Sequence, residues 1–354
     1  KNRAQWAAML GLAPFLVALG LPVSWLGVLA NLVAIPFMGI WALPLSLLGA
    51  GLLFWPSMAE PVLWLAAHSL ALMWQILELG VSGLPAWQAP FLPWWVVLLT
   101  ALAVLLLLLP RALRATGLTL TLLLPLFWPP SSHELKPGRA RIWLLDVGQG
   151  QAVVVQTAKH TLLYDAGPAM GGLDAGEQIV WPFLRGERVQ QIDKLILSHA
   201  DADHAGGTAA ILRKLDVRQL ISGEPLRHRH WQAQACDEKT WEWDGVEFWQ
   251  WQWTQASDGN EASCVLLVQA QDERFLVTGD LGVVGERALL RAQPGLQVDW
   301  LVAGHHGSRT STGADFLQQL QPSNVLISRG RYNSYAHPHS SVLQRLQPRE
   351  IEVY

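Results

Sequence analysis

Charge is almost missing from the first 130 residues of this 354-residue chain, where it is confined to Lys1, Arg3, Glu60, Glu78, Arg111 and Arg114. A water-soluble domain of that length would have no solvated surface, so the stretch is expected in lipid. The rest of the chain carries the remaining 21 basic and 26 acidic residues, a formal net charge of −5. That excludes a broadly basic nucleic-acid-binding surface and leaves only local contacts with such a polymer. Cysteine is scarce too. Cys236 and Cys264 cannot form a disulfide framework; they leave one bridge in an oxidising compartment, or two buried thiols. The first residue is Lys, and the natural start is expected upstream, so no signal peptide is sought.

What the first third does contain is a series of apolar runs: residues 4–20, 25–55, 61–80, 93–109 and 113–128. Pro36 and Pro44 interrupt the second, as neighbouring helices in a membrane can tolerate. The third carries His68, Gln75 and Glu78 and reads either as a span facing a polar interior or as an interfacial helix. Trp25, Trp41, Trp55, Trp87, Trp94, Trp95 and Trp128 crowd the run ends, where indole rings anchor at the lipid–water boundary or pack as ordinary core. Arg111 and Arg114 between the last two runs, and Lys1 and Arg3 before the first, orient a five-span arrangement. By the positive-inside rule the following domain then lies outside the cytoplasm, although Lys136, Arg139 and Arg141 pull the other way.

Residues 131–139 read as a proline-flanked linker, and the pattern beyond it is α/β. Segments 141–146, 151–157, 160–164, 194–198, 274–278 and 300–303 are short strand-like runs, while 208–215 and 285–292 read as helices. Segment 241–248 reads as a hairpin turning at Asp244 and Gly245. Trp249, Trp251 and Trp253 share one strand face, suited to a core or to stacking against unpaired bases. The chain stops in a strand-like run at 351–354, so the domain is expected to continue beyond it.

The chemistry concentrates in segment 198–207, Ser-His-Ala-Asp-Ala-Asp-His-Ala-Gly-Gly. His199, Asp201, Asp203 and His204 fall between an apolar strand and a helix. Packed together without a cation, the carboxylates would repel and the imidazoles would lose solvation; a divalent ion removes both penalties. The alternative is a solvated polar loop, which the apolar strand and the double glycine disfavour. Asp165, Asp280 and the pair His305–His306 each follow a further strand-like run. Asn333, Arg329 and His337 form a second polar group that could meet a phosphate oxygen or leaving group. Arg185, Arg188, Arg309 and Arg331, and the basic patch 227–230, are further candidate contacts.

Segment 199–204 resembles the metallo-β-lactamase superfamily signature His-x-His-x-Asp-His, with Asp201 in place of the second histidine. The resemblance implies an αββα sandwich over 140–354, behind a membrane α-helical bundle over 1–130. It implies two divalent metal ions, Mn or Zn first and Mg also possible, since Asp201 is a harder ligand than imidazole. His199, Asp201 and Asp280 would hold one ion. Asp203, His204, Asp280 and His305 would hold the other. The superfamily's middle histidine has no counterpart; residues 260–263 stand about there. Asp203, His204, Asp280 and His337 are the expected catalytic residues. His306, Ser308, Arg329 and Asn333 are the expected substrate contacts, and Asp146, Gln149 and Asp165 the expected supports behind the ligands.

The run Asp-Val-Gly-Gln-Gly-Gln-Ala at 146–152, the two histidine motifs and the tryptophan-rich apolar spans together resemble the ComEC family of DNA-internalisation channels. That likeness implies a multi-pass protein of the bacterial inner membrane that imports single-stranded DNA. Its metal-dependent nuclease domain would degrade the other strand by phosphodiester hydrolysis. DNA, the lipid bilayer, the remainder of the channel and other competence proteins would be its partners. The alternatives are a transporter component with a vestigial metal site and a membrane-bound hydrolase of small esters or lactams.

Overall fold

A computed structural model describes residues 2–19, 21, 23–24, 26–83, 92–113, 115–127, 135–256, 259–347 and 351–354. Trp25, Trp87, Trp128, Lys1, Arg114 and residues 131–134 of the expected linker lie outside the described residues. The chain divides into two compact units, Lys1–Ser131 and Ser132–Tyr354.

The first unit is helical: α1 (Asn2–Ala18), α2 (Leu26–Phe37), α3 (Leu43–Gly51), α4 (Pro56–Gly83), α5 (Trp94–Leu108) and α6 (Thr116–Phe127). Between α2 and α3 the helix does not break; it widens into a π turn over Met38–Ala42. Pro36 just upstream supplies a cause, because it removes a backbone donor and crowds the preceding turn. Leu26–Gly51 is therefore continuous, and with Pro56–Gly80 it is long and apolar enough to cross a bilayer. The helices over Gln5–Ala18, Trp94–Leu108 and Thr116–Leu126 are apolar but shorter. Ile40, Phe54, Trp55, Trp74 and Leu79 are exposed, as side chains facing lipid would be.

The second unit stacks two sheets. The first runs β1 (Arg141–Leu144), β2 (Val153–Gln156), β3 (Thr161–Tyr164), β4 (Lys194–Leu197), β5 (Leu220–Ser222) and β6 (Gln234–Ala235), in that order. The second runs β7 (Lys239–Trp243), β8 (Val246–Trp251), β9 (Val265–Ala270), β10 (Glu273–Val277), β11 (Trp300–Val302), β12 (Asn324–Leu326) and β13 (Glu352–Val353). The outer layers hold α7 (Trp181–Gly186), α8 (Ala202–Ala205) and α9 (Thr208–Lys214) with the first sheet, and α10 (Val283–Ala292), α11 (Ala314–Leu320) and α12 (Ser340–Leu346) with the second.

Three apolar layers follow from strand alternation. Ile196, Tyr164, Phe248, Leu266 and Phe275 fill the space between the sheets. Leu195, Leu197 and Leu163 point the other way, onto Leu184 and Ile211. Leu276, Leu301 and Val325 pack on Leu289, Phe316 and Val342. Strands covered on both faces need apolar residues at successive positions, which is why 195–197 and 275–277 are unbroken runs. Trp249 and Trp251 belong to the helix-covered layer, so the tryptophan stripe is core rather than a stacking face. The hairpin turns at Asp244 and Gly245 with φ of 53° and 80°, the left-handed pair that a two-residue type I′ turn needs. Cys236 and Cys264 form a disulfide beside the layer between the sheets.

Candidate metal centre

Strands β3, β4 and β5 run parallel, as do β10, β11 and β12. Their carboxyl ends release Asp165, Ser198–His204, Glu224, Asp280, His305–His306 and Ser328. Parallel strand ends bring loop residues distant in sequence to one edge of the sandwich.

Asp165 organises the first loop from a left-handed conformation, φ 58°. Its Oδ1 accepts from Ser198 N at 2.7 Å, and its Oδ2 accepts from Ser198 Oγ at 2.9 Å and lies 2.7 Å from His204 Nδ1. All three residues are fully buried. The carboxylate fixes the proton of His204 on Nδ1 and turns Nε2 to the centre. There Nε2 lies 3.1 Å from Asp280 Oδ1 and 3.2 Å from His306 Nε2. Asp280 reaches the centre through Gly279, φ 57°, where a Cβ would come within 2.7 Å of Ser198 Cβ. The Asp280 amide is tied to Ser263 Oγ at 3.1 Å.

The two adjacent histidines separate sharply. His305 and His306 both adopt left-handed backbone angles, φ 51° and 56°, so the chain turns tightly and the two rings diverge. His306 is buried; its Nδ1 donates to Ser328 O at 2.9 Å, which leaves Nε2 as a free donor atom 3.2 Å from Asp203 Oδ2 and 3.7 Å from Asp280 Oδ2. The His305 side chain is 28% exposed, has its Nδ1 beside Thr310 Oγ1, and has its Nε2 3.6 Å from Asp280 Oδ2. His306, the expected substrate contact, therefore lies buried within the ligand groups, and His305, the expected ligand, lies at their rim.

Two groups bring one ligand atom each to within 4.8 Å of one another: His199, His204 and Asp280, and Asp203, His204 and His306. That spacing suits donors arranged around an ion at about 2.0–2.2 Å from each. His199 Nε2 and Asp280 Oδ1 are buried with no hydrogen-bond partner. Such orphaned polar atoms are costly in a protein interior, and a cation between them removes the cost. The donors present thus fit a divalent metal. Protonation follows the same logic. Burial alone would raise the Asp280 carboxyl, but the imidazoles of His204, His306 and His199 hold it far below the usual range. Burial alone would lower His204, but the Asp280 and Asp165 carboxylates hold it well above its ordinary value. A cluster that gathers protons to balance its carboxylates is one in which a divalent ion can supply the positive charge instead.

Asp201 sits at the rim, its Oδ2 3.5 Å from His199 Nε2. In the place of the missing middle histidine, Ser263 holds the Asp280 amide and Glu261 accepts from Gly285 N at 2.8 Å, so neither side chain replaces the imidazole. Asp146 is exposed and accepts from Gly148 N within its own loop; among the described hydrogen bonds it has none to a ligand residue. Gln149 Oε1 accepts from Gly330 N. Ser308 is buried against Thr310, and the Asn333 amide ties its own loop together, so both hold loops. Arg329 is exposed. His337 lies with its ring 5.9 Å from that of His305 and 6.4 Å from that of His306, and its Nδ1 is buried without a partner. Burial first, then the neighbouring charges of His305 and His306, lower its proton affinity.

Sequence reasoning missed two supports. Glu224 Oε2 accepts from Ala200 N at 2.8 Å, pinning the peptide between His199 and Asp201. Gly150, φ 141°, lies where a Cβ would stand 2.3 Å from the Asp203 carbonyl oxygen. The glycine-rich run after β1 is therefore a backbone buttress for the ligand loop.

Two facing sheets with outer helices, and a carboxylate–imidazole cluster at the strand ends, define a metallo-β-lactamase fold. Residues 145–331 match the family model for the metallo-beta-lactamase superfamily, and residues 1–114 match that for the Competence protein family. Competence protein ComA of Neisseria gonorrhoeae is 34% identical over 99% of this chain and 49% of its own length. ComE operon protein 3 of Bacillus subtilis is 32% identical over 67% of this chain and 34% of its own. The chain thus spans about half the length, or less, of the curated relatives it matches. The crystal structure of the metallo-beta-lactamase fold protein YhfI of Bacillus subtilis aligns over 60% of this chain and 94% of its own, at 9% identity and a TM-score of 0.42. With both units matched in one order along the chain, this protein belongs to the ComEC family of competence proteins.

Proposed function

We propose that this chain hydrolyses phosphodiester bonds in DNA with two divalent cations, as the nuclease-bearing part of a membrane protein for DNA uptake. The observation that carries the reading is the ligand set around Asp280, with two of its buried donor atoms, His199 Nε2 and Asp280 Oδ1, lacking a hydrogen-bond partner. His199, Asp201 and Asp280 would hold one cation; Asp203, His204, Asp280 and His306 would hold the other. Bound cations supply Lewis acidity and lower the pKa of coordinated water. Manganese or zinc suits the donor set, and Asp201 also admits magnesium.

The chain's own groups do the rest. Asp165 and Ser328 fix which nitrogen of His204 and His306 faces the centre. Asp203, 3.2 Å from His306 Nε2, would receive a proton from the attacking water. His305 at the rim and Arg329 on the surface would meet phosphate oxygens. His337, its ring 5.9 Å from that of His305, would stand beside the departing oxygen.

In the uptake setting, one strand would be imported and the other degraded, with the remainder of the channel and other competence proteins as partners in the bacterial inner membrane. A position outside the cytoplasm is supported by the Cys236–Cys264 disulfide, a bond that persists in oxidising compartments.

The test is cleavage of labelled single- and double-stranded DNA by the full chain in detergent, with added Mn, Zn or Mg. Cleavage is expected with at least one metal and is expected to be lost in Asp203→Ala and His306→Ala. DNA left intact by a metal-loaded chain would overturn the reading. It would favour a non-catalytic metal site, the reading to which the absent middle histidine points.

A further inference from the structure

Beside the ligand cluster, loop 329–339 presents two exposed aromatic rings that the catalytic reading does not use. Tyr332 is 90% exposed and Tyr335 64%. Tyrosine is enriched at interfaces, where its ring offers an apolar face and its hydroxyl a polar end. The loop that carries them is braced. Asn333 Nδ2 donates to the Gly330 and His337 carbonyls, at 2.8 Å each, and Asn333 Oδ1 accepts from His337 N at 2.9 Å. Pro338 lies against Gly307, where a Cβ would approach it to 2.8 Å, and His339 N donates to Gly307 O at 2.9 Å. The platform is thus fastened to the same turn that carries His305 and His306.

The rings form a series. His337 lies 6.4 Å from His306 with 26° between their planes, and Tyr335 lies 5.7 Å from His337 at 24°. Three near-parallel rings lead from a cluster histidine to the surface. In the same loop the Arg331 guanidinium stands 5.5 Å over the Tyr332 ring. Parallel aromatic faces with an adjacent cation suit a planar base attached to a phosphate.

We infer that Tyr335 and Tyr332, with Arg331, form a stacking platform for unpaired nucleobases that feeds a single strand toward the metal centre. The inference rests on the nuclease reading and names the form of substrate the site takes. A duplex fits poorly for two reasons. Its base faces are hidden in its own stack. Its denser phosphate charge also meets a domain of net charge −5, which offers little electrostatic attraction to replace stacking. An unpaired strand gains on the first count and is less penalised on the second.

The test is fluorescence anisotropy of the full chain in detergent and EDTA, with a labelled oligothymidylate of about twelve nucleotides and the matching duplex. Wild type is expected to prefer the single strand. Tyr335→Ala and Tyr332→Ala are each expected to weaken single-strand binding about tenfold and so narrow that preference, from about 1–3 kcal/mol of stacking per base. Tyr335→Phe, which keeps the ring, is expected to keep the preference and excludes general damage to the loop. Equal binding by wild type and both alanine variants would overturn the platform, as would a wild-type preference for duplex. The binding readout needs no turnover. Failure of cleavage therefore refutes the nuclease reading, and failure of this preference refutes the platform.

Discussion

Replacing Asp165 by asparagine reverses one hydrogen bond beneath the ligand loop. The carboxylate now accepts three: from Ser198 N at 2.7 Å, from Ser198 Oγ at 2.9 Å, and from His204 Nδ1 at 2.7 Å. Asparagine Oδ1 can still accept from Ser198 N. The amide NH2 must then face His204, whose Nδ1 becomes an acceptor while the ring proton moves to Nε2. That is the atom 3.1 Å from Asp280 Oδ1 that the proposed metal set requires unprotonated. Metal binding must return the proton to Nδ1, leaving N–H against N–H in a fully buried site. Loss of a partner behind a ligating histidine costs about 10–100-fold in metal affinity, or about 1.4–2.7 kcal/mol. Asp165→Ala should cost at least as much, because it also leaves the buried Ser198 amide unpaired. Competition against a chromophoric chelator, with the full chain in detergent, reads both variants. Wild-type affinity in a folded Asp165→Asn chain would show that this carboxylate does not govern the metal site.

Three further outcomes follow from the same geometry. His306→Ala should lose metal affinity by far more than His305→Ala in the same titration, since only His306 lies buried within the ligand groups; equal losses would contradict the exchange of their roles. Gly150→Ala should cost about 2–4 kcal/mol, because φ is 141° and the added carbon meets the Asp203 carbonyl, and the Tm should fall by several degrees; an unchanged Tm would refute the close approach. Glu286 is buried, and burial pushes its carboxyl up to about 7, against the Thr312 and Gly313 amides that it accepts from. The folded state therefore holds this proton more tightly than the unfolded chain does. The stability it contributes is fully present below about pH 4.5 and is lost as pH rises through about 7. Glu286→Gln should flatten that segment of the Tm–pH curve, and an unchanged slope would assign the pH dependence elsewhere.

Much of the architecture was legible because burial on both faces forces uninterrupted apolar strands, and residues 195–197 and 275–277 carry that mark. The hairpin turn was legible from Asp244 and Gly245 alone, since few other pairs accept two left-handed conformations. The ligand loop was legible because four donors crowd one short segment. The distinction between His305 and His306 was not, because it depends on two successive left-handed residues and on the carbonyl of Ser328, in the loop that follows β12. Glu224 was invisible for the same reason: it reaches Ala200 across the sheet, and nothing local marks it. The tryptophan stripe at 249 and 251 reads identically whether helices cover it or solvent does; only the outer helix layer decides. In the first unit the apolar run 25–55 was legible as one segment despite its prolines, but the π turn at Met38–Ala42 that keeps Leu26–Gly51 continuous was not.

The most direct test is an anomalous difference map from crystals of the full chain grown with manganese, recorded near the manganese edge. The account predicts density bonded to Asp280 together with Nε2 of His204 and Nε2 of His306, with Asp203 beside it. Density on His305 with His306 uninvolved, or no bound metal at saturating manganese, would contradict it.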